Sequence, residues 1–371
     1  MAHALLSASS ADRWLHCPPS VRLTEGLADK GSSYAAEGTL AHAMAEEALT
    51  AFMEAREPDF EPFRKDTYYY PGMEEDILPY TDYVKETFLA GAEELALEQR
   101  LDFSAYVPRG FGTGDAVILS QGQVEIVDLK FGKGVPVSPI RNPQLMLYGL
   151  GAYLANDWLF NIDLVRMTIV QPRLDFIDTY ELSADMLLDW AKSTVAPKAK
   201  LAFAGKGDMQ AGSWCRWCKL KGTCRTRASQ HMDFYRASID RELGPAGIAE
   251  VLAQADAIKA WLADIETGAT ETLSAGGEIP GWKLVEGRSN RKITDPDAMA
   301  EALKKVYAAE DIYKPQELKT PTALEKLVGK KAFASDYGSF ITKPPGKPTL
   351  APESDKRPAL NSPEEEFTFD D

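Results

Sequence analysis

The sequence has few cysteines and histidines and no long apolar run, and these absences exclude some classes of protein. Its 371 residues include only four cysteines and four histidines. No apolar run approaches the roughly 18 residues that a membrane-spanning helix needs. The first residues carry neither a basic leader nor a long apolar stretch, so we expect no secretory signal. These absences predict a cytoplasmic protein that does not enter a membrane.

Positive charge is scarce overall, with a formal net charge of −15, whereas nucleic-acid-binding domains are usually basic. One stretch departs from this balance, because residues 211–232 contain basic residues, two tryptophans and no acid. These residues are Arg216, Lys219, Lys221, Arg225 and Arg227, with Trp214 and Trp217. Cations interleaved with aromatic rings suit a nucleic-acid strand. A solvated surface loop explains the same composition equally well.

The order of the predicted elements indicates an α/β fold. Residues 33–55 and 73–100 are rich in helix-forming residues and predict two helices. Two β-prone segments, 112–120 and 123–131, flank a short turn and predict a hairpin. Asn142, followed by Pro143, is a predicted helix N-cap. Two further strands follow, at 163–172 and 176–182, then a helix over 183–205. We expect a mixed sheet of about four strands flanked by helices.

Composition changes towards the end of the chain and predicts three regions. Residues 1–230 hold every motif and form the first domain. Residues 231–342 are predicted to be a mainly helical extension with a β-hairpin near 281–293. Residues 343–371, rich in Pro, Lys, Ser and Glu, are predicted to be a disordered acidic tail.

The predicted hairpin places two carboxylates together. If its turn is at 121–122, paired positions sum to 243, and Asp115 then lies directly opposite Asp128. Like charges opposite each other destabilise a sheet. A divalent cation between them removes the conflict, since Mg²⁺ and Mn²⁺ prefer carboxylate oxygens. The alternative is a frayed hairpin end with both acids in water.

Other polar side chains are predicted to lie near this pair. Lys130 shares a strand face with Asp128 and is placed to position a water or stabilise charge on a phosphate. His42 lies on the first predicted helix and is a candidate metal ligand. Gln144 and Tyr148, four residues apart, share one face of the helix that begins after Asn142. Each of these features alone is also typical of an ordinary surface pair or an amphipathic helix.

The four cysteines form their own pattern. Cys17 lies near the start of the chain, and Cys215, Cys218 and Cys224 lie close together much later. In a cytoplasmic protein such a cluster indicates a metal site rather than disulfides. The spacing does not distinguish structural Zn²⁺ from an iron–sulfur cluster.

The ordered motifs "GTLAH", "GTGD", "DLK" and "QLMLY", with the four cysteines, resemble a known superfamily. They are similar to the RecB-type branch of the PD-(D/E)xK nucleases, and within it to the iron–sulfur members, which include the AddB helicase-nucleases and the CRISPR adaptation nucleases. The resemblance covers about residues 1–230 and implies a restriction-endonuclease-like sheet. The segment "SASSADRWLHCPPS" also resembles an uncharacterised phage and prophage family of that branch.

The resemblance implies a role for each motif residue. The metal ligands would be His42, Asp115, Asp128 and the backbone carbonyl of Leu129, holding Mg²⁺ or Mn²⁺. Lys130 would act on the water or phosphate, with Gln144 and Tyr148 orienting it or the DNA backbone. Cys17, Cys215, Cys218 and Cys224 would hold a [4Fe–4S] cluster, with structural Zn²⁺ as the alternative. The implied DNA-binding residues are Arg13, Arg216, Lys219, Lys221 and Arg225, although Arg13 packing around the cluster is an equally good interpretation.

Together these expectations describe a Mg²⁺- or Mn²⁺-dependent DNA nuclease. It would be an exonuclease acting on DNA ends or single strands, in phage or prophage replication or recombination inside a bacterial host cell. A phage recombination or replication protein would be its partner. The alternative is a DNA-binding or assembly subunit that keeps the fold and the cluster without cutting.

Overall fold

The computed structural model describes residues 4–28, 31, 33–237, 244–285, 295–306, 308, 312–313 and 320–341. These residues belong to two units, Met1–Val285 and Glu286–Asp371. The predicted acidic tail, 343–371, lies outside the described residues. The domain boundary placed near residue 230 stays a prediction, although the helix Pro245–Ser274 groups with the first unit.

The first unit is built around one five-stranded mixed sheet. Its strands, in spatial and chain order, are β1 (Glu94–Asp102), β2 (Phe111–Ser120), β3 (Gln123–Leu129), β4 (Leu164–Gln171) and β5 (Phe176–Ser183). Neighbouring strands are antiparallel except β3 and β4, which are parallel. A parallel pair needs a crossover, and a helix between β3 and β4 supplies it. The structure therefore confirms the α/β class and the mixed sheet.

Helices cover both faces of this sheet. Among the described residues, the helices of this unit are, in chain order, α1 (Ala11–His16), α2 (Ser20–Leu23), α3 (Ser33–Met53), α4 (Met73–Leu89), α5 (Pro143–Phe160), α6 (Ala184–Trp190), α7 (Ala196–Ala204), α8 (Arg225–Ala237) and α9 (Pro245–Ser274). One buried core lies between the sheet and α3 with α4. The other lies between the sheet and α5, with α1, α6 and α7 contributing.

The second predicted helix is wrong in its last third. Helix α4 ends at Leu89, the positive φ of Gly91 turns the chain, and residues 94–102 form β1. The segment "ELALEQRLD" is rich in helix formers, but pairing with β2 along its length makes it an edge strand. Tertiary pairing overrides helix propensity here. This strand raises the sheet from the expected four strands to five.

The hairpin register is confirmed. Ser120 pairs with Gln123, and the ladder continues outward to Ala116 and Val127, so paired positions sum to 243 as predicted. Asp115 and Asp128 lie one step beyond the last pair. The N-cap is also confirmed, because the Asn142 side chain accepts hydrogen bonds from the N–H groups of Gln144 and Leu145.

The second unit contains three short helices among the residues that the structure describes. They are α10 (Pro296–Leu303), α11 (Pro321–Val328) and α12 (Lys330–Tyr337). Near the predicted hairpin at 281–293 there is a single bridge between Ile279 and Trp282, and residues 286–294 lie outside the described residues. In the part of the chain that the structure describes, no helix combines the length and apolar character needed to cross a membrane.

Candidate active site and cysteine cavity

Asp115 is the centre of the polar site, in the middle of β2, where pairing with β3 stops. Its Oδ1 lies 3.2 Å from Nδ1 of His42, which α3 presents to the sheet. Its Oδ2 accepts a hydrogen bond of 2.8 Å from the N–H of Leu129. The carboxylate therefore occupies the position where the β2–β3 ladder stops, and it fixes the backbone of Leu129 there.

A second group of side chains surrounds Asp128, which is buried. Nζ of Lys130 lies 2.6 Å from its Oδ2. Gln144 donates from Nε2 to the other oxygen at 3.4 Å and to the hydroxyl of Tyr148 at 3.1 Å. Helix α5, whose N-cap is Asn142, thus delivers Gln144 and Tyr148 to the end of β3.

Burial and neighbouring charges determine the protonation states. Burial acts to raise the pKa of Asp115, but the adjacent His42 outweighs it and the net shift is downward. Burial acts to lower the pKa of His42, yet Asp115 raises it overall. For Asp128 burial dominates and raises the pKa, although Lys130 opposes it. Burial acts to lower the pKa of Lys130, but Asp128 and Asp115 raise it, so the ammonium stays charged.

Glu98 on β1 also belongs to this site, and the sequence analysis missed it. One ligand atom from each of His42, Glu98 and Asp115 lies within 4.8 Å of the other two. Burial and repulsion from Asp115 raise the pKa of Glu98 to about 7. The residue was missed because its segment was assigned to a helix, which hid its place beside β2.

The four cysteines line one cavity. Cys17 follows α1, and Cys215, Cys218 and Cys224 lie in the loop before α8. The indole of Trp214 stacks on the His16 ring at 3.9 Å, which joins the two segments beside the cysteines. Burial raises the pKa of the Cys215 and Cys218 thiols. The fold therefore brings the distant N-terminal cysteine to the other three.

Comparison with known proteins identifies the family. A family profile described as "Protein of unknown function (DUF2800)" matches residues 3–358. The chain belongs to the DUF2800 family. A solved structure titled "Crystal structure of SSO0001" is similar to it, with 16% sequence identity over 59% of this chain and 84% of that chain. Its TM-score is 0.29.

In this DUF2800 member the predicted site residues fall into the two places just described. His42, Asp115, Asp128, Lys130, Gln144 and Tyr148 come together at one place in the sheet. The N–H of Leu129 donates a hydrogen bond to Asp115, which places Leu129 beside this group. Metal binding by the Leu129 carbonyl stays a prediction. Asp128 is outside the group of three close ligand atoms, because its carboxylate faces Lys130 and Gln144.

The predicted DNA-binding residues have different surroundings. Arg216 and Arg225 are exposed, and Lys219 is exposed with its ammonium donating to the carbonyl of Leu27. Lys221 pairs with Asp264 on α9 at 2.9 Å. Arg13 lines the cysteine cavity and donates to the hydroxyl of Ser20 at 3.0 Å. Arg13 therefore packs beside the cysteines, and a DNA contact of its side chain stays a prediction.

Proposed function

We propose that this protein is a Mg²⁺- or Mn²⁺-dependent DNA nuclease, an exonuclease acting on ends or single strands. The observation that carries the proposal is the convergence of six motif residues from four separate elements at one place in the sheet. These residues are His42, Asp115, Asp128, Lys130, Gln144 and Tyr148. Two carboxylates, a histidine and a charged lysine within one site suit metal-assisted hydrolysis of a phosphodiester.

The donor set fits a hard divalent cation. Carboxylate oxygens and an imidazole nitrogen are ligands that Mn²⁺ accepts, and carboxylates suit Mg²⁺. His42 and Asp115 would hold the ion, together with Asp128 and the Leu129 carbonyl that the resemblance implies. When bound, the ion polarises the scissile phosphate and lowers the pKa of an attacking water.

Lys130 acts electrostatically in this proposal. Its raised pKa keeps the ammonium protonated at neutral pH, so it stabilises developing negative charge on the phosphate rather than removing a proton. Asp128 holds the ammonium from one side at 2.6 Å. Gln144 bridges Asp128 and Tyr148 and so fixes the carboxylate that orients Lys130.

We further propose that the cysteine cavity holds a [4Fe–4S] cluster. Cys17, Cys215, Cys218 and Cys224 line the same cavity, and four thiolates can hold either a four-iron cluster or a single Zn²⁺. The resemblance to the iron–sulfur members of the RecB-type branch favours the cluster over the zinc alternative. Either group would tie Cys17 to the loop before α8.

The exposed cations Arg216 and Arg225 are proposed to contact the DNA backbone. The guanidinium of Arg216 lies 5.2 Å from the centre of the exposed Trp217 ring, a pairing that suits stacking on an unpaired base. A phage recombination or replication protein in a bacterial host is the proposed partner.

The test is cleavage of end-labelled single- and double-stranded DNA by the anaerobically purified full chain with Mn²⁺. Lys130→Ala is expected to lower the rate by about 10²-fold or more, because it removes the cation that faces the phosphate. Lys133→Ala is the matched control, since Lys133 is exposed three residues further on. If the wild type, with its cluster intact, binds DNA but does not cleave it, the nuclease proposal is wrong. The protein would then be a DNA-binding or assembly subunit that does not cut.

A further inference from the structure

Glu98 occupies a distinctive place in β1. Leu97 pairs with Ala116 and Gln99 with Gly114, so Glu98 lies opposite Asp115 at the one step where the β1–β2 ladder is interrupted. Its backbone adopts a φ of +43°, a left-handed conformation that is uncommon for a residue other than glycine. The strand is therefore locally distorted where the Glu98 carboxylate meets the site.

The registers of β1, β2 and β3 place three carboxylates in one row. Glu98 lies opposite Asp115, and Asp115 lies one step beyond the last β2–β3 pair, beside Asp128. Two of the three have cationic partners, because His42 accompanies Asp115 and Lys130 accompanies Asp128. Among the residues that the structure describes, no hydrogen bond or ion pair satisfies the Glu98 carboxylate. The row therefore leaves one half-buried carboxylate to be neutralised.

We propose that Glu98 is a direct ligand of the divalent cation, which it binds together with His42 and Asp115. The inference rests on the proposed function and adds a ligand to its site. Around an ion with ligands at about 2.1 Å, ligand atoms lie roughly 3.0–4.2 Å apart. The three side chains, whose ligand atoms lie within 4.8 Å of one another, reach this arrangement with small adjustments.

With this assignment, metal binding and contact with the phosphate are performed by different groups of side chains. His42 on α3, Glu98 on β1 and Asp115 would hold the cation. On the other side of Asp115, Asp128, which the resemblance also implies as a ligand, contacts Lys130 and Gln144. The metal-binding and phosphate-facing groups are thus adjacent, with Asp115 at their boundary.

The experiment measures Mn²⁺ binding directly on the full chain, without DNA. Free Mn²⁺ is followed by its six-line electron paramagnetic resonance signal, which is lost on binding. Glu98→Gln keeps the size and removes the charge, and it is expected to weaken Mn²⁺ binding at least tenfold. Glu94→Gln on the same strand is the matched control, because Glu94 is exposed and pairs with Leu119 away from the site. It is expected to bind Mn²⁺ as the wild type does.

Thermal unfolding of the metal-free proteins gives a second readout. Glu98→Gln removes a repulsion from Asp115, so its melting temperature is expected to equal or exceed that of the wild type. A lower melting temperature would instead indicate a structural role and overturn the assignment.

The outcomes separate this proposal from the nuclease. Unchanged Mn²⁺ affinity in Glu98→Gln overturns the ligand assignment even if wild-type DNA cleavage is robust. If Mn²⁺ binding depends on Glu98 but the protein cleaves no DNA, Glu98 is a metal ligand and the nuclease proposal is wrong. A wild type that binds no Mn²⁺ overturns the assignment directly.

Discussion

The carboxylate site and the cysteine cavity are built in opposite ways. The carboxylate site takes its side chains from α3, the middle of β2, the end of β3 with the residue after it, and α5, all within residues 42–148. The cavity joins Cys17 to a loop about 200 residues later. Sheet pairing and buried helices position the first site, whereas the second depends on contacts between two short segments.

The carboxylate site and the cysteine cavity also differ in how their charged or titratable groups are compensated within the protein. In the carboxylate site His42 and Lys130 already compensate Asp115 and Asp128. In the cavity, burial raises the pKa of Cys215 and Cys218, so these thiols stay protonated until something binds them. Bound metal would therefore matter more for the integrity of the cavity than for that of the carboxylate site.

A contact near Tyr148 links the two regions. The short turn Ala8–Ser10 precedes α1, and Ala8 lies against Gly112 of β2. A Cβ added at Gly112 would lie 2.5 Å from Tyr148 and 3.2 Å from Ala8. The segment that ends at Cys17 therefore begins beside the Tyr148 ring.

The largest expected effect comes from Asp115→Asn, which should disable only the carboxylate site. Loss of the ligand next to His42 removes several kcal/mol of transition-state stabilisation, so cleavage should fall about 10³-fold or more. Mn²⁺ binding should fall with it, while absorption near ~400 nm from the proposed cluster should be unchanged. A variant that loses the cluster absorption as well would show that the two regions are not independent.

Cys218→Ser is expected to disable the cavity and leave Mn²⁺ binding intact. Opening a closed loop of about 200 residues costs roughly 3–5 kcal/mol, which lowers the melting temperature by about 5–15 °C. Iron content, absorbance and thermal unfolding measure the effect, and Ser213→Ala in the same loop is the control, since Ser213 is exposed. An unchanged melting temperature in an iron-free Cys218→Ser protein would argue against a mechanical role.

The pH dependence of Mn²⁺ affinity should distinguish the ligands of the carboxylate site. His42 has a raised pKa and must lose its proton to bind metal, so affinity should rise with pH up to that pKa and then level off. If metal binding displaces one proton, Mn²⁺ affinity rises about tenfold per pH unit, and if it displaces two protons the affinity rises about 100-fold per pH unit. Because the pKa of Glu98 is about 7, the wild type should approach the steeper slope near pH 6 and Glu98→Gln the shallower one.

In the metal-free protein, the ion pair between His42 and Asp115 should make the free energy of unfolding depend on pH. The raised pKa of His42 means that its contribution is present at low pH and is lost as pH rises through that pKa. The lowered pKa of Asp115 means that its contribution is lost as pH falls through that pKa. The ion pair should therefore stabilise the fold between these two values, which urea unfolding at several pH values can measure.

Gly112→Ala should have the smallest effect and should test the link between the regions. The new Cβ would displace Tyr148, costing about 1–3 kcal/mol of stability and about tenfold in cleavage. Gly38→Ala is the control, because a Cβ there meets nothing within 4 Å and the residue lies inside α3. It should raise stability by about 0.5–1 kcal/mol. Equal stabilities for the two variants would show that Tyr148 accommodates the methyl group.

The sequence predicted those features that short-range chemistry controls. The β2–β3 register followed from the turn at 121–122 and alternation along the strands, which placed Asp115 beside Asp128 correctly. The cap at Asn142 followed from its side chain and Pro143. It did not identify β1, because the helix propensity of residues 94–102 is overridden by pairing with β2.

By itself, then, the sequence determined the hairpin, the helices that carry His42 and Gln144, and the spacing of the motif residues, since these depend on neighbours within a few positions. Only the tertiary structure decided that Glu98 faces Asp115, that Cys17 meets the other three cysteines, and that Lys221 pairs with Asp264. Each of these depends on packing between segments that are distant in the chain. Propensity and spacing act locally, whereas the pairing of an edge strand and the closure of a long loop depend on the free energy of the whole fold.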